Sequence, residues 1–156
     1  FVVTLVNHGS MGHSVDFHAG ERAPDDVMRT IAPGSSLTYR FRAERAGIWM
    51  YHCSTMPMSA HIAAGMHGAV VIEPEGLPAV DHSYVLVQSE AHVDGDGESP
   101  VREVDADSAA ADTPDAVVFN GVANQYDHSL PGRRPRCACS PLGGEGGHTG
   151  ELSRVR

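Results

Sequence analysis

The 156-residue sequence contains no lysine, few aromatic residues and only three cysteines. Three cysteines cannot all pair with one another, which excludes a disulfide framework as the basis of the fold. No run approaches the ~20 consecutive apolar residues that a membrane-spanning helix needs. The net charge of −9 argues against nucleic acid or an anionic membrane as a partner. We therefore expect a folded chain that has neither a nucleic acid nor a membrane as its partner.

Short runs rich in β-branched and apolar residues are separated by turn residues, a pattern that predicts an all-β fold. Only one helical turn, around residues 59–65, is suggested by the sequence. An acidic stretch over residues 94–115 is interpreted as a solvated loop. The expected strands lie at residues 1–7, 37–43, 47–53, 69–72, 81–90 and 116–121.

The composition divides the chain into three parts. Residues 1–78 hold most of the histidines and methionines, and a proline-containing connection precedes a fresh strand in residues 79–131. Residues 132–156 contain five arginines, six glycines and two cysteines and show neither strand nor helix periodicity. We expect this last part to be a poorly ordered tail.

One cysteine, two histidines and a methionine recur at a spacing that is typical of a metal site. Cys53, His61 and Met66 follow one another at a strand end and in the loop after it. A thiolate, two imidazoles and a weak thioether form the ligand set of a blue-copper site. His13, from a distant strand, is the candidate for the fourth ligand.

Strand parity, the alternation of side chains between the two faces of a strand, predicts a second group of candidate metal ligands. Adjacent residues of a strand point to opposite faces, so His52 and Cys53 diverge. If the segment around Asp16 is extended, His18 and Asp16 share a face and His13 lies on the other. His18, His52 and Asp16 then form a second, non-thiolate copper site, joined to the first through the His52–Cys53 peptide.

Other interpretations of these residues remain open. Cys53 could be a buried structural thiol, and the paired histidines could be core residues that bind no metal. Another residue of the loop could replace Met66 as a ligand: Met56, Met58 or His67. A weaker candidate metal site is formed by Cys137, Cys139 and His148. The remaining histidines are expected at the surface: His8, His82, His92 and His128.

Several segments resemble copper-containing nitrite reductases and their multicopper-oxidase relatives. The matching segments are Gly12-His-Ser-Val-Asp-Phe-His-Ala19, Tyr51-His-Cys53 with His61 and Gly65-Met-His-Gly68, Glu73-Pro74, Gln88-Ser-Glu90 and Val118-Phe-Asn-Gly121. The resemblance covers about residues 1–131. It implies a Greek-key cupredoxin β-sandwich in residues 1–78, whose first strands are expected before Phe1, and the start of a second cupredoxin domain in residues 79–131.

The resemblance also implies roles for individual residues. His13, Cys53, His61 and Met66 would be ligands of a type 1 copper, and His18 and His52 would be ligands of a type 2 copper. Asp16 would be the catalytic carboxylate that handles protons for bound nitrite. The third type 2 histidine and a second catalytic histidine would come from a neighbouring subunit of a homotrimer. The spacing from Cys53 to His61 is one residue shorter than in the best-known nitrite reductases.

The implied activity is the one-electron reduction of nitrite to nitric oxide, with electrons passing from type 1 to type 2 copper. A small redox protein, a cupredoxin or a cytochrome c, would supply the electrons, and the protein would work in the periplasm or outside the cell, after export by a leader upstream of Phe1. Two alternatives are another multicopper-oxidase-like activity and an electron-transfer cupredoxin without catalysis. A trinuclear oxygen-reducing centre needs His-x-His motifs, and this sequence contains none.

Overall fold

The computed structural model describes residues 1–20, 28–95 and 101–123, together with the backbone of 137–140 and 152–155. Strands dominate these residues, which confirms the prediction of an all-β fold. Among the helices described, none has the length and apolar character to cross a membrane. The elements are β1 (Val2–Val6), β2 (Asp16–Phe17), a 3-10 turn (His18–Gly20), β3 (Ser36–Arg40), β4 (Gly47–His52), α1 (Met58–Ala63), β5 (His67–Ile72), β6 (Tyr84–Ala91), α2 (Ala106–Ala111), β7 (Ala116–Phe119), β8 (Cys137–Ser140) and β9 (Leu152–Val155).

The described residues up to Ile72 form two antiparallel sheets that share one core. One sheet pairs β1 with β3, and the other has the strand order β2-β4-β5. Apolar side chains from both sheets pack together, and burying them supplies the main stabilisation of this sandwich. The buried residues of the core are Phe17, Ala19, Met28, Tyr39 and Phe41.

Strand β4 positions the residues of interest because its side chains alternate between two covered faces. Trp49 and Tyr51 pack against the core, so His52 points to the opposite face. In the antiparallel register, His52 lies opposite Asp16 of β2 and opposite His67 of β5. The register therefore places a carboxylate and an imidazole on neighbouring strands.

Strand β2 is shorter than the extended segment expected around Asp16. The first residue of β2, Asp16, lies opposite His52, which is the last residue of β4. Residues before Asp16 therefore have no continuation of β4 to pair with. After Phe17 the chain turns at once into the 3-10 turn that begins at His18.

Helix α2 lies within the stretch that the sequence analysis interprets as a solvated loop. The Asp105 side chain caps this helix, and its Oδ1 accepts hydrogen bonds from the backbone amides of Asp107 and Ser108. Alanine is the strongest helix former, and the helix contains four alanines among its six residues. A cap followed by alanines outweighs the acidic composition that suggested a loop.

The third sheet has the strand order β7-β6-β9-β8 and includes two strands from the part expected to be poorly ordered. Residues 152–155 pair with Tyr84–Val87 of β6, and residues 137–140 pair in turn with 152–155. Backbone pairing to an available strand edge needs no side-chain periodicity, so the sequence pattern gave no signal for it. The rest of residues 132–156 lies outside the described residues.

Candidate metal centre

Cys53 is the central residue of the first cluster. It follows β4 directly, and its amide donates a hydrogen bond to the carbonyl of Met66 at 2.9 Å. Its side chain is 1% exposed, and Sγ lies 3.6 Å from Nδ1 of His61. Among the described residues it is a free cysteine. A buried thiol beside an imidazole nitrogen is therefore available as a metal ligand.

Helix α1 supplies His61 to this cluster. The helix begins after Pro57, and His61 is its buried residue. The amide of Met66 donates to the carbonyl of His61 at 3.1 Å, so the loop closes back on Cys53. Burial of the imidazole lowers the pKa of His61, and the nearby His13 ring lowers it further. A lowered pKa keeps the imidazole neutral, as a metal ligand must be.

His13 completes the group from a separate segment of the chain. It is held by two backbone hydrogen bonds with Ile31, at 3.2 and 2.8 Å, and its ring meets His61 edge to face at 5.1 Å. Its Nδ1 is buried without a hydrogen-bond partner among the described residues. One ligand atom from each of His13, Cys53 and His61 lies within 4.8 Å of the others. A buried imidazole nitrogen left without a protein partner fits a metal ligand, because a metal would satisfy it.

Ser14 is a buried residue that the sequence analysis missed. Its Oγ accepts hydrogen bonds from the amide of Ser54 at 3.0 Å and from the hydroxyl of Thr55 at 3.2 Å. The Ser14 hydroxyl proton is thus left to point toward Cys53 Sγ, 4.0 Å away. Ser14 holds the start of the loop that follows Cys53 and gives the Cys53 sulfur a polar neighbour. Only its position beside His13 in the sequence could have indicated this role.

Asp16, His18 and His52 form the second cluster, and their ligand atoms also lie within 4.8 Å of one another. The His52 Nδ1–H donates to the carbonyl of Cys53 at 3.0 Å, because a carbonyl can only accept. The other ring nitrogen of His52, Nε2, lies 3.0 Å from Nε2 of His18. The pKa of His18 is lowered overall, mainly by the partial burial of its ring; Asp16 opposes this change and His52 adds to it. Two converging imidazole nitrogens beside a carboxylate fit a divalent metal.

The structure thus brings the predicted residues together in the two groups that strand parity indicated. The backbone of Met66 lies beside the first group, hydrogen-bonded to the backbones of Cys53 and His61. The other candidate ligands of the loop are directed elsewhere. Met56 and Met58 are 79% and 38% exposed, and His67 Nδ1–H donates to the carbonyl of Ile62 at 3.2 Å.

The prediction that His92 lies at the surface is wrong, since its side chain is only 3% exposed. Helix α2 covers it, and that helix was not expected from the sequence. His128 and His148 lie outside the described residues, as do the side chains of Cys137 and Cys139.

Comparison with known proteins agrees with this geometry. The family described as multicopper oxidase matches residues 3–76. The copper-containing nitrite reductase of Neisseria meningitidis serogroup B is 41% identical over 112 residues, which is 70% of this chain and 29% of that protein. The protein of the same name from Pseudomonas chlororaphis is 34% identical over 140 residues, or 76% of this chain and 39% of that protein. The solved copper nitrite reductase from Nitrosomonas europaea superposes with a TM-score of 0.66 at 35% identity, over 77% of this chain and 41% of that chain.

A β-sandwich that carries a buried Cys-His-His cluster at a strand end and its following loop defines a metal-binding cupredoxin. The chain is similar to the multicopper oxidase family over residues 3–76 and to copper-containing nitrite reductases over a larger part of its length. It spans between 29% and 41% of the length of the relatives described above.

Proposed function

We propose that this chain is part of a copper-dependent oxidoreductase that reduces nitrite to nitric oxide. The observation that carries the proposal is the buried Nδ1 of His13, which has no partner among the described residues and lies beside the thiol of Cys53. A thiolate with two imidazoles selects copper over the harder divalent ions. The nitrite reductase relatives support the substrate.

We assign His13, Cys53, His61 and Met66 as ligands of type 1 copper, and His18 and His52 as ligands of type 2 copper. When bound, copper supplies one-electron redox chemistry, with electrons passing from the first cluster to the second. His52 links the two clusters, because its Nδ1–H donates to the carbonyl of the Cys53 residue that carries the thiolate. The electron route through the His52–Cys53 peptide is therefore short.

Asp16 is assigned as the catalytic carboxylate. Conversion of nitrite to nitric oxide and water consumes one electron and two protons, so a proton donor beside the substrate is required. Asp16 lies opposite His52 in the strand register and within 4.8 Å of both histidines, measured between ligand atoms. Its role is to hydrogen-bond nitrite and to deliver a proton as the N–O bond breaks.

The remaining features of the proposal concern the whole protein. We assign residues 1–78 to a cupredoxin domain, 79–131 to the start of a second one and 132–156 to an atypical tail. The second cluster offers two histidines, so a further histidine from another subunit would complete it, as in a homotrimer. A small redox protein would donate electrons, and the site of action would be the periplasm or the extracellular space, where fewer thiols compete for copper.

The reaction itself is the test. The natural protein, loaded with copper and supplied with a reduced small redox protein, should produce nitric oxide only when nitrite is added. His18→Ala should abolish this production, whereas the exposed His82→Ala should leave it unchanged. Oxygen consumption without any nitric oxide would favour a multicopper-oxidase-like activity instead, and electron transfer without turnover of either substrate would leave a simple electron carrier.

A further inference from the structure

His92 connects the end of β6 to helix α2 at two points. Its carbonyl accepts a hydrogen bond from the amide of Asp105, the capping residue of α2, at 3.1 Å. Its Nδ1 lies 2.9 Å from Oγ of Ser108, which is within the helix. The imidazole is 3% exposed, and Ser108 is half-buried.

The direction of the side-chain hydrogen bond follows from the surroundings of Ser108. The Ser108 hydroxyl donates its one proton to the carbonyl of Thr113, with the oxygens 2.6 Å apart. Ser108 Oγ must therefore accept from His92, so Nδ1 of His92 carries a proton. Nε2 lies 3.7 Å from the carboxylate of Glu90. His92 is thus a buried donor with one defined acceptor.

Helix α2 in turn supports helix α1. Cα atoms of the two helices approach within 8 Å of each other. Both helices are short and rich in small residues, which allows this close approach. The buried residue of α1 is His61, and the buried residue of α2 is Ala109. A shift of α2 would therefore be transmitted to the helix that carries a ligand of the thiolate cluster.

We propose that His92 is a positioning residue for the copper centre: its hydrogen bond to Ser108 fixes α2, which holds α1 so that His61 faces Cys53. The inference rests on the proposed copper site for its functional meaning, but its mechanical part concerns the metal-free chain. His92 touches neither cluster and is supplied by the part of the chain that follows the first sandwich. Residues 79–123 thereby contribute to the geometry of a site whose ligands all lie before residue 67.

Three variants of His92 separate the hydrogen bond from the volume of the ring. His92→Phe keeps the volume and removes the donor, so the half-buried Ser108 oxygen loses that hydrogen bond. His92→Asn places an amide N–H close to the position of Nδ1 and keeps the donor. His92→Gln places its amide near the position of Nε2 instead. His82→Phe, at an exposed site, is the matched control.

The first measurement is hydrogen exchange of the amides of Ala64, Gly65 and Met66 in the metal-free chain. These amides donate to carbonyls of α1, so they report on its stability. His92→Phe and His92→Gln should accelerate their exchange by ~10-fold, which is the scale of losing one buried hydrogen bond. His92→Asn and His82→Phe should exchange at the wild-type rate. If His92→Phe does not fold, Ser108→Ala replaces it, with an acceleration at least as large, since it also removes the hydrogen bond to Thr113.

The second measurement is the visible charge-transfer spectrum and reduction potential of the copper-loaded chain. His92→Phe should shift both, and His92→Asn should restore both to the wild-type values. Unchanged exchange and spectrum in His92→Phe, or in Ser108→Ala if it is used, would overturn the inference while leaving the copper site intact. A wild-type chain without any charge-transfer band would overturn the proposed function, whatever the exchange rates are.

Discussion

The imidazoles of His18 and His52 meet with their Nε2 atoms 3.0 Å apart. The other nitrogen of His52 donates to the carbonyl of Cys53, whose thiol belongs to the neighbouring cluster. His52, the last residue of β4, thus lies in the cluster with Asp16 and His18, and the next residue, Cys53, lies in the cluster with His13 and His61. Replacing His52 should therefore affect one site and spare the other.

In the natural protein, His52→Ala should keep the visible band of the thiolate site and lower bound copper from about two per chain to about one. Removing the imidazole deletes a ligand of the second cluster but leaves Cys53, His61 and His13 in place. Metal analysis and absorption spectroscopy on the same sample give both values. Disappearance of the visible band in this variant would mean that the two sites are not separable.

Asp16→Asn should retain both coppers and reduce nitrite turnover by ~100-fold or more, the usual effect of losing a general acid. The amide keeps the shape of the side chain but cannot deliver the proton. Asp81→Asn, at an exposed position, serves as the control for a change of charge. Wild-type turnover in Asp16→Asn would remove Asp16 from the mechanism.

The metal-free protein should lose stability as the pH falls below about 6.5, the ordinary pKa of histidine. Burial lowers the pKa of both His18 and His61 in the folded state. The unfolded chain therefore takes up protons first, and the free energy of unfolding decreases with decreasing pH until the folded-state pKa values are reached. Urea denaturation at several pH values measures this slope. His61→Gln should flatten it, and an unchanged slope in that variant would contradict the burial of His61.

The grouping of the ligands could be predicted from the sequence because strand parity is a local rule. His52 and Cys53 are adjacent in an extended segment, so they had to face opposite ways, and the structure has them in separate clusters. The helical turn that carries His61 could also be predicted from the sequence, because the single turn expected around 59–65 matches α1 at Met58–Ala63.

The supporting contacts could not be predicted in the same way. Ser14 and His92 are buried by segments far away in sequence, and no periodicity marks a side chain whose neighbours come from other elements. Ser14 accepts hydrogen bonds from Ser54 and Thr55, about forty residues later in the chain. His92 is covered by helix α2, which lies in an acidic stretch that was interpreted as a loop. Such contacts depend on tertiary packing, which a single sequence does not display.

Met66→Leu should preserve the visible colour of the copper-loaded protein and raise its reduction potential. In the proposed type 1 site the Met66 thioether would be a weak donor that stabilises copper(II), so its removal would favour copper(I). The exposed Met56→Leu is the matched control and should leave the potential unchanged. A lowered potential in Met66→Leu, or a raised one in Met56→Leu, would count against Met66 as the axial ligand.

The central claim is that Cys53 provides a thiolate ligand to copper, and copper(II) titration of this chain tests it most directly. The wild-type chain should develop the intense visible absorption of a thiolate-to-copper charge-transfer band, and Cys53→Ser should lack that band entirely. Cys137→Ser and Cys139→Ser are the controls and should both retain it. A band that persists in Cys53→Ser, or that is absent from the wild-type chain, would contradict the account.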